Sequence, residues 1–211
     1  MFDESVFEMI KRRGEEYLRF SHHDRYHVER VHRMAMRIAA EEGADMDVVR
    51  AAALLHDVAR AMEDEGVVED HAAEGAKIAE GILRDVGFPE EKISRVVDCI
   101  RIHRFKRGDY AGSVEAGILQ DADRLDALGA IGIARVFARG GWENKPIHDP
   151  SIPPKERYDG ESLTSVNHIY EKILRLKEEL NTDTARRISE ERHRFVKQFL
   201  ERFLREWEAE I

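Results

Sequence analysis

Three stretches of the chain carry side chains that could hold a cation. His27 sits in RYHVERVHRMAMRIA, with Arg30 one turn later. His56 and Asp57 close the apolar run AAALLHD, and ILQDADRLDALGAIG sets Asp121, Asp123 and Asp126 about Arg124. A carboxylate and an imidazole at the end of a buried helix face are costly unless they meet solvent, pair or bind a metal. Asp is a poor interior helix residue, so three within one apolar stretch need a cause: salt bridges to Arg124 and its neighbours, or a metal. Taken together, the His, the His-Asp pair and an Asp give two imidazoles and two carboxylates. That mixed nitrogen and oxygen set suits Mn²⁺, Fe²⁺, Co²⁺, Ni²⁺ or Zn²⁺, with Mg²⁺ also admitted. Cys99 is the only cysteine, which argues against a structural thiolate zinc site. Four protein ligands on an ion that accepts six leave room for water and substrate oxygens. Such an ion can lower the pKa of water and polarise a phosphoryl oxygen.

The order His27, His56-Asp57, Asp123 resembles the H…HD…D signature of the HD superfamily of phosphohydrolases. RYHVERVHRMAMRIA is similar to that superfamily's first motif, ALLHDVAR to its second and DADRLDALGAIGIAR to its last. The segment near 161–176 and the closing RHRFVKQFLERFLREW look like a small, single-domain branch of it. The resemblance implies an all-helical core in which His27, His56, Asp57 and Asp123 converge on one divalent ion. Asp123 is the acid matched, because it precedes the Arg-Leu pair; Asp121 is then structural. Asp126, one turn after Asp123, is a candidate to hold water or take its proton, and Asp57 and His103 are the other catalytic candidates. His71 and His103 stand where two-metal members of the superfamily place extra ligands, around an ion that Asp57 would bridge. The alternative for both is to bind substrate phosphate or line the cleft.

Arg30, Arg60, Arg104, Lys106 and Arg107 are candidates to steady a phosphate chain; with His71, Arg30, Arg104 and Lys106 make the expected substrate-binding set. Two departures narrow the substrate. Signalling-nucleotide hydrolases of the superfamily carry a Glu-Asp pair one turn after the HD, where this chain reads Val58-Ala59-Arg60-Ala61. The Gly-Tyr-Pro motif of cyclic-dinucleotide phosphodiesterases is absent too. The resemblance implies a metal-dependent phosphohydrolase acting on nucleotides, as a nucleotidase or a nucleoside-triphosphate pyrophosphatase, through attack of activated water on phosphorus. Competing readings are a phosphodiesterase on a cyclic nucleotide or short oligonucleotide, and a non-catalytic nucleotide or metal sensor on the same fold.

The elements that must position these residues read as helices. An amphipathic stretch covers 3–18. Ser21 or Asp24 caps a helix that ends at Gly43; Asp47 opens a second, VVRAAALLHDVAR. A third runs over 69–86 to Gly87, and Pro89 begins a fourth that reaches about His103. One long helix is expected from Val114 to about Ala138, ending at Gly140-Gly141. A Pro-rich loop follows near 142–158, holding His148, then a helix over about 162–180, holding His168; neither histidine is given a role. A last helix, capped by Asn181 and Thr182, sets Ile188, Val196, Phe199, Leu200, Phe203, Leu204 and Trp207 on one stripe. No alternating strand pattern or repeat appears. The expectation is one all-α domain over 1–211, its metal-binding core at about 21–140 and its C-terminal helices, about 162–211, packed on it.

Composition bounds the rest. With 211 residues the chain can bury a large core. A net charge of −9 argues against a broad nucleic-acid surface but not against one small phosphorylated substrate at a metal. The single cysteine fits a reducing compartment. The N-terminus lacks the apolar core of a signal peptide, and nothing approaches a membrane span. The sequence reads as a cytoplasmic protein and leaves a homo-oligomer open.

Overall fold

The structure, a computed structural model, describes residues 3–18, 24–104 and 112–211. Ser21, Lys106 and Arg107 lie outside them. Every regular element among the described residues is helical, so the protein is all-α. The described residues form ten α-helices: α1 (Glu4–Glu15), α2 (Arg25–Glu42), α3 (Met46–Leu55), α4 (Arg60–Asp64), α5 (His71–Asp85), α6 (Glu90–Arg101), α7 (Val114–Asp126), α8 (Ala130–Trp142), α9 (Ser165–Glu171) and α10 (Asp183–Trp207), with a 3₁₀ helix at Ile173–Glu179. No helix among the described residues is long and apolar enough to cross a membrane. The chain clusters into two compact units. The first is Met1–Asp123 with Asn181–Ala185; the second is Arg124–Leu180 with Arg186–Ile211.

Local chemistry sets the helix ends of the first unit. The Asp24 carboxylate accepts from the His27 amide at 2.9 Å and caps α2. Gly43, at φ 69°, ends it in the left-handed conformation that glycine adopts without strain. The cap of α3 is Asp45, which accepts from the amides of Asp47 and Val48; the expected opening residue, Asp47, lies inside the first turn. Asp70 caps α5 in the same way. In this unit α2 packs on α3, α5 on α6, and α3 on both α1 and α6. Ile38, Leu55, Leu83, Ile100, Ile118 and Leu119 are fully buried between them.

Two expected helices are broken, and a third is split. VVRAAALLHDVAR does not continue through the histidine: α3 stops at Leu55, a turn covers 56–59, and α4 follows. The turn leaves His56 and Asp57 off the regular helical track. The stretch from Val114 to Ala138 divides at Ala127–Gly129, since Gly129 has φ 89°. A Cβ on Gly132 would strike the Ala127 carbonyl, so the sharp return of the chain depends on that glycine too. The expected helix over 162–180 is α9 followed by the 3₁₀ helix.

In the second unit, α8 packs on α9. Arg124, 6% exposed, donates to the Glu179 carbonyl at 2.6 Å. Arg192 donates to the Leu125 carbonyl. Along the α10 stripe, Val196 and Leu200 are buried, and Phe199 and Phe203 meet Phe137 with ring centroids 5.9 and 6.1 Å apart. The stripe fades at its end, where Trp207 is exposed. His148 lies against Trp207 at 5.0 Å and His168 against Tyr158 at 5.5 Å. Burial pushes the His168 imidazole down to about 3, so it stays neutral. Arg124→Ala is expected to lower the melting temperature by several degrees, since a half-buried carbonyl loses a charged donor worth about 1.5–3 kcal/mol. Cation binding should be unchanged; a variant that melts normally but has lost its cation would reverse this assignment.

Candidate metal centre

All the site histidines of the first unit stand at or beside helix ends. His27 is in the first turn of α2, His56 directly follows α3, His71 is the first residue of α5, and His103 lies just beyond α6. Helix ends are where the chain turns, so side chains from distant segments can meet there. The turn after α3 places Asp57 at their centre. Its Oδ2 lies 3.4 Å from His27 Nε2 and 3.5 Å from His56 Nε2. Its Oδ1 lies 3.7 Å from His71 Nε2 and 3.6 Å from His103 Nε2. The His27 and His56 Nε2 atoms are 3.3 Å apart. Each oxygen of one carboxylate thus faces its own pair of imidazole nitrogens.

Those spacings fit cations. Two donors each about 2.1 Å from one ion, at angles of about 90–125°, stand about 3.0–3.7 Å apart. Among the described residues, the groups that could hold an ion are His27, His56 and Asp57, and Asp57, His71 and His103. Asp57 is 2% exposed, and a charge so deep needs compensation. Burial pushes the His56 imidazole down to about 4, and burial also lowers His71. Both are therefore neutral donors at physiological pH. His103 goes the other way. Burial opposes its charged form, but the hydrogen bond and charge of Asp57 outweigh that and raise it.

The ring nitrogens that face away from Asp57 are also engaged. His56 Nδ1 lies 2.9 Å from the Ala53 carbonyl and His103 Nδ1 lies 2.6 Å from the Ile100 carbonyl. His71 Nδ1 lies 2.7 Å from Glu63 Oε2. Carbonyl and carboxylate oxygens only accept, so each Nδ1 carries a proton, and Nε2 of the neutral ring is the atom that could offer a lone pair to a cation seated beside Asp57.

Asp123, on α7, brings Oδ1 to 3.5 Å from His27 Nε2 and is 28% exposed at its side chain. It stands beside the His27 and His56 pair rather than within the tight triplet. The other acids of DADRLD do different work. Asp121 is fully buried and accepts from the amides of Asn181 and Thr182, each at 2.8 Å, and from both their side chains. Asp126 is buried and paired with Arg135 at 2.7 Å. Arg30 is half-buried, one turn after His27 on α2. Arg104 reaches Glu63 at 3.0 Å, and Arg60 pairs with both Glu63 and Asp64. The expected clamp residue Lys106 is outside the described residues. Glu63 has no counterpart among the residues expected from sequence; an acid on a short solvated turn looks like any other until its partner is seen.

A helical unit with two groups about one aspartate that could each hold a cation points to a class. The family model described as the HD domain matches residues 25–128. YpgQ of Bacillus subtilis, itself described as uncharacterized, is 35% identical over 188 residues, covering 85% of this chain and 82% of YpgQ. A structure from Lactobacillus plantarum superimposes with a TM-score of 0.82 at 32% identity, over 99% of this chain and all of that one. An HD-superfamily hydrolase from Bacillus thuringiensis does so with a TM-score of 0.75 at 40% identity, over 98% and 96%. YpgQ in complex with ADP gives 0.73 at 30% identity, over 95% and 96%. The chain belongs to the HD superfamily.

Proposed function

We propose that the protein is a divalent-cation-dependent phosphohydrolase of nucleotides, acting as a nucleotidase or a nucleoside-triphosphate pyrophosphatase. The observation that carries this reading is the placement of Asp57, with each carboxylate oxygen facing two imidazole nitrogens. The ADP held by YpgQ supports a nucleotide as ligand. His27, His56, Asp57 and Asp123 would hold one cation, and Asp57, His71 and His103 a second. When bound, such cations supply Lewis acidity toward water and a phosphoryl oxygen.

The chain's own groups supply the rest. Asp57 sets the distance between the two positions, because a single carboxylate serves both. The backbone carbonyls of Ala53 and Ile100 hold two imidazoles in the tautomer a cation needs. His71 and His103 act as ligands in this arrangement, not as proton carriers. Arg104, more exposed than the Glu63 carboxylate it meets at 3.0 Å, is the guanidinium best placed to meet a phosphate chain.

The test is a nucleotide panel. Protein stripped of metal and reloaded with Mn²⁺, Co²⁺ or Ni²⁺ is assayed for phosphate and pyrophosphate release from nucleoside mono-, di- and triphosphates. Turnover of one class is expected, falling by more than about 100-fold in His56→Ala. Release of pyrophosphate marks the triphosphate reaction; release of phosphate from monophosphates marks the nucleotidase. Protein that binds cation yet turns over no nucleotide in the panel refutes the reading.

A further inference from the structure

Glu63 gathers partners from three segments. Its Oε2 accepts from His71 Nδ1 at 2.7 Å and takes Arg60 Nη1 at 3.0 Å. Its Oε1 takes Arg104 Nη1, also at 3.0 Å. Arg60 is held in turn by Asp64 at 2.9 Å, and Arg104 lies 3.8 Å from Asp70. Arg60 Nη1 is also 3.5 Å from His71 Nδ1. Both atoms bear protons, and that spacing exceeds a hydrogen bond, so the carboxylate is the partner that sets the ring.

The contrast with the other imidazoles is informative. His56 and His103 are oriented by carbonyls three residues earlier in their own segments, so forming the helix is enough to orient the ring. His71 is the first residue of α5, where no preceding turn offers a carbonyl. It relies instead on a side chain from α4. A carboxylate does the task more forcefully than a carbonyl, because it raises the basicity of the opposite nitrogen. That nitrogen, Nε2, faces Asp57 Oδ1. The two guanidiniums grip Glu63 through charge-assisted contacts, one on each oxygen, and leave it little rotameric freedom.

We propose that Glu63 is a positioning residue that commits His71 to a second divalent cation beside Asp57, with Arg60 and Arg104 locking the carboxylate in that pose. The inference rests on the two-cation reading of the metal centre given above. It makes the second position dependent on α4, a five-residue helix, and leaves the position at His27 and His56 independent of it.

Mn²⁺ titration of the metal-stripped full chain tests it, with calorimetry for affinity and electron paramagnetic resonance for coupling between two bound ions. Wild type should take up two ions. Glu63→Ala should keep one at unchanged affinity and weaken the other by about 10–100-fold, with melting of the metal-free form lowered by no more than a few degrees. Glu63→Gln, whose amide oxygen still accepts from Nδ1, should recover part of the loss. Glu63→Ala added to His71→Ala should cost nothing further. Two ions at wild-type affinity in Glu63→Ala would overturn the proposal, as would equal weakening of both ions. A wild type that hydrolyses nucleotides with a single ion overturns it too, while leaving the phosphohydrolase reading in place. Two ions, the second dependent on Glu63, without hydrolysis of any nucleotide would uphold the Glu63 assignment and sink that reading.

Discussion

Asp57→Asn is expected to empty both candidate cation positions at once and to lower nucleotide turnover by more than about 100-fold, the upper range for losing a supporting group near a metal. Asparagine matches aspartate in shape, so packing around the turn at 56–59 is preserved. What changes is the charge and one donor atom. The carboxylate offers Oδ2 to His27 and His56 and Oδ1 to His71 and His103; the amide nitrogen of asparagine cannot bind a cation. The reading is made by melting with and without Mn²⁺. A cation at about 100 times its dissociation constant adds about 2.7 kcal/mol to the native state, or roughly 5–10 °C for a chain of this size. Wild type should show that rise and the variant should not. Without metal, the variant should melt no lower than wild type, because a buried amide costs less than a buried carboxylate. A full Mn²⁺-dependent rise in the variant would mean that the cation sits elsewhere.

Why a single substitution can have that reach follows from the backbone around it, and here sequence and structure part company. The ends of α2, α5 and α6 are legible because their signals are local: Asp24 and Gly43, Gly87, Pro89. The break after Leu55 is not. AAALLHDVAR contains neither Gly nor Pro, and its Ala, Leu and Arg residues favour helix, so a regular helix is the natural expectation. The break at Gly129 left a trace, yet a lone glycine in an apolar helical run is ambiguous until the Gly132 contact with Ala127 shows how tight the turn is. Much the same holds for the centre. The His-Asp pair marks itself by its cost at the end of an apolar run. The meeting of His71 and His103 at one carboxylate depends on how α5 and α6 pack, and spacing alone does not encode that. Glu63 is harder still. The sequence lacks an acidic pair at 60–61, but an acidic pair stands three residues on, at Glu63-Asp64, and only the structure shows Glu63 turned to His71.

The acids of DADRLD give the sharpest separation of structure from chemistry, because two of them, Asp121 and Asp123, are two residues apart and belong to the same helix. Asp121→Ala is expected to destabilise the protein by about 3–5 kcal/mol. Alanine would strand the amides of Asn181 and Thr182, the Asn181 side-chain amide and the Thr182 hydroxyl. Each abandoned buried donor costs about 1–3 kcal/mol, less where water reaches it. For a chain of this length that corresponds to a fall in melting temperature of roughly 10 °C or more. The cation affinity of the molecules that remain folded should be unchanged, since Asp121 points to 181–182 and not to the imidazoles. Asp123→Ala should behave in the opposite manner. Its side chain is 28% exposed and faces His27, so its loss leaves room for water and costs the metal-free fold well under about 1 kcal/mol. Cation affinity should fall by about 10-fold or more. The two variants, measured side by side by melting and Mn²⁺ titration, therefore exchange signatures. Were Asp121→Ala to melt normally but lose its cation, while Asp123→Ala unfolded early, the roles assigned to the two carboxylates would have to be swapped.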